Sequence, residues 1–117
     1  MPNFAKVSSE ACALLLAAST LVFLAKAVSA VPQKSAEDTF NRKCAICHAK
    51  DGSGNTPRGK KYSVKDIRTT IKKDSEEQMV EIVEKGKGAN MDAFGDELSA
   101  DEIKALVEYY RSLAKSK

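Results

Sequence analysis

The chain has 117 residues, which is enough for one small domain. Its net charge is only +3, too weak an imbalance to imply nucleic-acid binding by itself. A domain this small has a thin core and usually needs a disulfide, a metal or a large cofactor to hold it together. One of the three cysteines lies in an N-terminal apolar segment, and the other two, Cys44 and Cys47, are too close in sequence for a useful bridge. We therefore expect a metal or a cofactor.

The first 30 residues have the layout of a secretory signal peptide. Lys6 precedes an uncharged run from Ala11 to Ala25, and Val28-Ser29-Ala30 provides small residues for a cleavage site. Cleavage after Ala30 would leave residues 31–117 as a single domain in the periplasm. The alternative is a retained membrane anchor, although a full span needs roughly 20 apolar residues.

The rest of the chain shows helical patterns and no convincing alternation of period two. Ser35 is an N-cap candidate for a first helix that runs to about Cys47. The glycine-rich segment Asp51–Lys61 is predicted to be a loop, and a short helix is predicted over Val64–Lys72.

Two capping boxes predict the last two helices. Ser75 opens a helix that ends near Gly86, and Ser99 opens the final helix. A second irregular loop, Gly86–Asp96, separates them. The sequence thus predicts an all-α fold of about four short helices with long loops. Long loops are uncommon in a small domain unless they have a function, so we expect them to wrap a cofactor.

Residues 44–48, with the sequence CAICH, contain the only histidine of the chain. A structural zinc site would need further cysteines or histidines, and none follows His48. A thioredoxin-like dithiol would need a strand–helix unit. The remaining interpretation is a c-type haem attachment site, in which Cys44 and Cys47 lie on nearly the same helical face and form thioethers with one porphyrin. His48 then reaches the haem iron.

The sixth iron ligand must be sought elsewhere, since a second histidine is absent from the sequence. Methionine, lysine, water or nothing could occupy that position, and a methionine thioether raises the reduction potential. Met79 lies on an apolar helical stripe and is predicted to be a core residue. Met91 lies in the second irregular loop, where a side chain can be aimed at an iron, and is the predicted ligand.

The chain from about Ala36 to Lys115 resembles the small monohaem class I cytochromes c of bacteria, of the c6 and c551 type. The shared motifs are F-x-x-x-C-x-x-C-H at 40–48, the glycine-rich D-G-S-G-N-T-P at 51–57, M-x-x-F at 91–94, and L-S-x-x-E-I with L-x-x-Y at 98–109. The resemblance implies a one-electron carrier, not an enzyme, with one covalent haem c. It supports Met91 as the iron ligand.

The resemblance also implies three further features. The Pro57 carbonyl is expected to accept a hydrogen bond from His48, and Phe40 is expected to contact Tyr109 or Tyr110. Many relatives have proline after the methionine ligand, where this chain has Asp92. This substitution keeps open an alternative function, a ligand-binding or peroxidase-like haem protein with an open sixth position.

The partners expected from the resemblance are a redox donor and a redox acceptor. The stretch from Arg58 to Lys73 is rich in lysine and arginine and forms either a docking surface or an ordinary solvated face. We expect a monomer that binds no nucleic acid and meets a membrane only if the N-terminal segment is retained.

Overall fold

The computed structural model describes residues 32–116, so the predicted signal peptide and its cleavage site lie outside the described residues. The described part folds into six α-helices, namely α1 (Gln33–Lys43), α2 (Ala45–His48), α3 (Pro57–Lys61), α4 (Ile67–Thr70), α5 (Glu76–Lys85) and α6 (Ala100–Ser112), followed by a 3₁₀ turn (Leu113–Lys115). The predicted all-α class is confirmed, with more and shorter helices than expected. Within residues 32–116 no helix is long and apolar enough to cross a membrane.

The first predicted helix is divided in two and begins earlier than expected. Pro32 is the N-cap of α1, and the Ser35 N–H already donates to the Pro32 carbonyl at 2.9 Å, so the prediction of Ser35 as N-cap was wrong. Proline suits this position because its fixed φ, here −57°, is compatible with a helix start. The helix then breaks at Cys44, whose φ of −110° separates α1 from α2.

The glycine-rich segment contains a helix that was predicted to be loop. Thr56 is the N-cap of α3 and Pro57 is its first residue, which is the usual start of a short helix. The helix escaped the periodicity analysis because its residues are exposed except Gly59, which is buried. The next helix, α4, is shorter than predicted: the Asp66 side chain caps it by accepting from the Arg68 N–H.

The two predicted capping boxes are both present. The Ser75 hydroxyl accepts from Gln78 N–H at the start of α5, and Ser99 accepts from Glu102 N–H at the start of α6. In each box the N-cap backbone N–H in turn donates to the side-chain oxygen three residues later, Ser75 to Gln78 and Ser99 to Glu102. The boundaries of α5 and α6 were therefore predictable from short local patterns.

Helix α6 lies at the centre of the molecule and packs against both α1 and α5. Two of its buried residues belong to separate hydrophobic clusters: Leu106 packs with Phe40 and Ala45, and Val107 packs with Ile67 and Met79. Met79 is 5% exposed, which confirms its predicted place in the core. This packing fixes α2 and the loop after α5 on the same side of the molecule.

Candidate functional site

A single cleft brings the predicted site residues together. Its volume is about 900 Å³, and its lining includes Cys44, Cys47, His48 and Met91. The lining also includes the apolar side chains Phe40, Ile82, Val83, Phe94 and Leu106. Ligand cavities commonly have volumes of about 300–1,000 Å³ and mainly apolar walls, so this cleft has the size and chemistry of a site for a large, flat organic cofactor.

The CAICH residues form one helical turn at the edge of the cleft. The N–H groups of Cys47 and His48 donate to the Cys44 carbonyl at 3.0 and 2.9 Å. Cys44 and Cys47 are three residues apart in this turn, so their side chains leave the same helical face. Both cysteines are free thiols and half-buried. The turn therefore presents two thiols and one imidazole to the same cavity.

Burial determines the protonation of two of these groups. It raises the pKa of the Cys44 thiol to about 11, and Lys43 opposes the shift only in part. The thiol is therefore protonated at neutral pH in the haem-free chain. Burial also lowers the pKa of His48, which favours the neutral imidazole that a metal ligand requires.

Helix α3 and its N-cap support the CAICH turn. The Thr56 hydroxyl donates to the Ile46 carbonyl at 2.7 Å and accepts from the Gly59 N–H at 2.8 Å. A Cβ atom at Gly59 would overlap the carbonyl oxygens of both Gly54 and Cys47, so the close packing of α3 on the end of α2 and on the loop between them requires glycine at this position. The sequence analysis missed this support, although Thr56-Pro57 is a recognisable helix start.

The Met91 loop is tied to the end of α5 by backbone hydrogen bonds. The Lys87 N–H donates to the Met91 carbonyl at 2.9 Å, and the Phe94 N–H donates to the Val83 carbonyl at 2.9 Å. Gly86, with φ of +78°, allows the Met91 carbonyl to cross close to its α-carbon. Met91 is half-buried in the cleft wall, whereas Asp92 is exposed at the rim.

The aromatic contact between α1 and α6 involves both tyrosines. The Phe40 ring lies 5.5 Å from the Tyr109 ring in an edge-on arrangement and 5.5 Å from the Tyr110 ring in a stacked one. Tyr110 also lies 3.0 Å, hydroxyl oxygen to Nδ1, from His48. The sequence did not separate the two tyrosines, and it did not indicate the contact with His48. Pro57 is the first residue of α3, and its role as hydrogen-bond acceptor for His48 stays a prediction.

The basic stretch lies beside the cleft. Six of its lysine and arginine side chains are exposed, namely Arg58, Lys60, Lys61, Lys65, Lys72 and Lys73. Arg58, Lys65 and Lys73 contribute directly to the cleft lining. Ile46, 57% exposed, lies at the same rim and is the exposed large hydrophobic residue of the described chain. The surface around the cleft therefore combines one exposed apolar side chain with several positive charges, and Asp74 and Asp92 are the acidic residues among the lining.

Known proteins are similar to this chain in sequence and in fold. The family model for cytochrome c oxidase, cbb3-type, subunit III matches residues 32–109. Cytochrome c6 from Microcystis aeruginosa is 40% identical over 76 residues, which cover 65% of this chain and 90% of that protein. Cytochrome c6 from Leptolyngbya boryana is 41% identical over 70 residues, or 60% of this chain and 79% of that protein. The chain belongs to the cytochrome c family.

Two other comparisons agree with this family. The cbb3-type cytochrome c oxidase subunit FixP of Azorhizobium caulinodans is 32% identical over 80 residues, but the cytochrome described here spans only 27% of that subunit. The solved structure of the KustC0563 c-type cytochrome superposes with a TM-score of 0.62 at 26% identity, covering 67% of this chain and 95% of that one. The protein is a small monohaem class I cytochrome c, a haem-binding electron carrier with covalent c-type haem.

The residues around the cleft fit a c-type haem. The cleft is large enough, its walls are mainly apolar, and two free thiols and a neutral imidazole meet at one edge. Cys44 and Cys47 are the only described residues that can form thioethers, since the third cysteine lies outside residues 32–116. His48 from α2 and Met91 from the loop after α5 line the same cleft and provide a nitrogen and a sulfur donor.

Proposed function

We propose that this cytochrome is an exported one-electron carrier whose haem is attached through Cys44 and Cys47 and held axially by His48 and Met91. The observation that supports the proposal most is that one cleft contains all four side chains. The haem iron, when bound, supplies the one-electron couple. We assign no catalysed reaction to the chain, because the proposed ligands fill both axial positions of the haem iron.

The protein residues set the properties of this couple. A methionine sulfur is a soft donor that stabilises ferrous iron, and apolar walls keep water away from it, so both raise the reduction potential. The backbone bonds that join the Met91 loop to α5 keep the sulfur donor near the cleft without the proline that many relatives carry at position 92. These contacts favour a filled sixth position over an open one.

Absorption spectra of the haem-loaded protein test the axial ligands. We expect a ferric iron–sulfur charge-transfer band that is present in the wild type and lost in Met91→Ala. Met79→Leu is the matched control: Met79 also lines the cleft, but it is packed in the core at 5% exposed, and its replacement should leave the band unchanged. A wild-type spectrum without the band, combined with carbon monoxide binding to the ferrous protein, would instead indicate the alternative haem protein with an open sixth position.

We propose that Asp92 also affects the reduction potential. Its side chain is exposed at the cleft rim, where a carboxylate favours the more positive ferric state and lowers the potential. Asp92→Asn removes the charge alone, and Asp92→Pro also stiffens the loop. We expect a higher potential in both variants. An unchanged potential in Asp92→Pro would contradict the proposed effect.

We further propose that the basic rim is the docking surface for redox partners with an acidic face. Arg58, Lys65 and Lys73 line the cleft, so a partner attracted to them would approach the haem. Complementary charge raises the rate of short-lived encounters, and salt screens it. The next helix carries four acidic residues, Glu76, Glu77, Glu81 and Glu84, so the negative charge lies apart from the basic stretch, although Glu76 pairs with Arg111 and Glu81 with Lys85.

Small charged oxidants test this surface without knowledge of the natural partner. The rate of oxidation by hexacyanoferrate(III), an anion, should fall several-fold between about 0.01 and 0.1 M salt, over which the screening length shrinks from about 30 to 10 Å. Lys65→Glu should lower the rate at low salt. Lys34→Glu makes the same charge change on α1, away from the cleft lining, and should have a much smaller effect. Equal effects of the two variants would contradict a localised docking surface.

Export is tested by the mass and location of the haem-loaded protein in cells. We expect a soluble periplasmic protein that begins at Val31. A protein that retains residues 1–30 and sediments with membranes would support the anchored alternative.

A further inference from the structure

The segment that carries Met91 is joined to the last turn of helix α5 by backbone hydrogen bonds. At its far end, the Phe94 N–H donates to the Val83 carbonyl at 2.9 Å, and the Gly95 N–H donates to the Glu84 carbonyl at 3.0 Å. Both carbonyls belong to the last four of α5, which have no partner within the helix itself. The returning segment therefore caps the helix, and the helix fixes the position of the segment at this end.

At its near end, the same segment turns back on itself immediately after Gly86. The Lys87 N–H donates to the Met91 carbonyl at 2.9 Å, and these two residues form an antiparallel bridge. Inside this turn the Asn90 N–H donates to the Lys87 carbonyl at 3.2 Å. Met91 therefore belongs to a short backbone turn whose position relative to α5 depends on the conformation of Gly86.

The backbone of Gly86 has a conformation and a contact that exclude a side chain. Its φ of +78° and ψ of 179° lie in a region that residues with a Cβ atom essentially do not adopt. A Cβ atom at this position would lie 2.8 Å from the Met91 carbonyl oxygen and 2.9 Å from the Ala93 nitrogen. Both neighbours are backbone atoms, so rotation of a side chain cannot relieve the overlap. The segment itself would have to move until these contacts reach the ordinary distance of at least 3.4 Å.

We propose that Gly86 is a positioning residue that holds the Met91 backbone where its sulfur can bind the haem iron. This inference rests on the proposed role of Met91 as the axial ligand. Metal–ligand distances in proteins are fixed to within about 0.2 Å, so a displacement of the Met91 carbonyl by about 0.6 Å is large on this scale. A side chain at position 86 therefore weakens the iron–sulfur bond and makes the sixth position accessible to an external ligand.

The experiment compares haem-loaded Gly86→Ala and Gly88→Ala by absorption spectroscopy and carbon monoxide titration. For Gly86→Ala we expect loss of the ferric iron–sulfur band and an increase of at least about tenfold in the affinity of the ferrous protein for carbon monoxide. Gly88→Ala is the matched control, because Gly88 has φ of +57° but a Cβ atom there would have no neighbour within 4 Å. It also places alanine at a positive φ in the same segment, without the overlap, so it should keep the band and the wild-type affinity.

Proton NMR of the haem-loaded ferrous wild type tests the contact without a variant. We expect a nuclear Overhauser effect between an α-proton of Gly86 and the amide proton of Ala93, because the two backbones approach each other there. Absence of this effect would overturn the inference, as would an unchanged band in Gly86→Ala or an equal loss of the band in both variants. A wild type that itself lacks the band would contradict the Met91 ligation, and the inference with it, so the two failures are distinguishable.

Discussion

Ala49 has a backbone conformation that suits glycine, and replacing it with glycine should stabilise the protein. It follows His48 directly and has φ of +61° and ψ of 156°. Residues with a Cβ atom rarely adopt this region, which is occupied essentially by glycine. The chain needs this conformation to leave α2, because the Gly54 N–H then reaches the His48 carbonyl at 2.8 Å.

The expected gain is the balance of three effects. A non-glycine residue in this region costs about 1–3 kcal/mol. Glycine at position 49 would add unfolded-state entropy worth about 0.4–1 kcal/mol. The half-buried methyl group of Ala49 would be lost, at about half of the 0.8 kcal/mol that a fully buried carbon contributes. The net free energy of unfolding of Ala49→Gly should therefore rise by about 1 kcal/mol, or about 4–8 °C in Tm.

The assay is guanidinium unfolding of the haem-loaded protein, followed by far-ultraviolet circular dichroism. Ala105→Gly is the matched control, since it makes the same chemical change inside α6. Glycine within a helix costs about 0.5–1 kcal/mol, so this variant should lose stability. The two variants should shift in opposite directions. A loss of stability in Ala49→Gly would refute the argument from backbone strain.

Three further predictions concern packing and pH. Phe40→Ala should lower the free energy of unfolding by about 3–5 kcal/mol, because Phe40 is 2% exposed, and a loss below about 1 kcal/mol in guanidinium unfolding would contradict this. Gly59→Ala should cost about 1–3 kcal/mol by the same assay, because its Cβ overlaps the Cys47 carbonyl, and an unchanged midpoint would count against the contact. The Ser99 N–H lowers the pKa of Glu102. The stabilisation that the ionised Glu102 side chain contributes is therefore present above the ordinary glutamate pKa and is lost as the pH falls through the lowered value. In thermal melts the Tm of the wild type should therefore exceed that of Glu102→Gln at pH 7, and the difference should shrink as the pH is lowered below the ordinary glutamate pKa; a difference that does not change with pH would refute this.

Short local patterns in the sequence were enough to predict much of the fold. The boxes at Ser75 and Ser99 are satisfied within four residues, so tertiary packing has little influence on where α5 and α6 begin. The helical stripe that contains Met79 indicated a core position in the same way. The proposed haem attachment at CAICH is equally local, because one helical turn is sufficient to align two thiols and an imidazole.

Two predictions about helices failed. One helix is held by a contact with residues far away in the sequence, and the other begins at a residue that the capping pattern did not include. The helix over Pro57–Lys61 has no apolar stripe, because it packs through the backbone of Gly59 instead of through side chains. The predicted N-cap at Ser35 was wrong because Pro32 already begins the helix. In both cases a proline at the start of the helix was a better signal than an apolar stripe or a serine N-cap.

The amino-acid sequence by itself was enough to recognise the family and the all-α class and to predict the haem-attachment residues, because these depend on residue types at short fixed spacings. Only the tertiary structure decided which side chains meet across the chain. Met91 and His48 line one cleft because α6 packs against both α1 and α5. The hydroxyl of Tyr110, rather than that of Tyr109, reaches His48 because neighbouring residues on a helix point in different directions, and only one of those directions leads to the cleft.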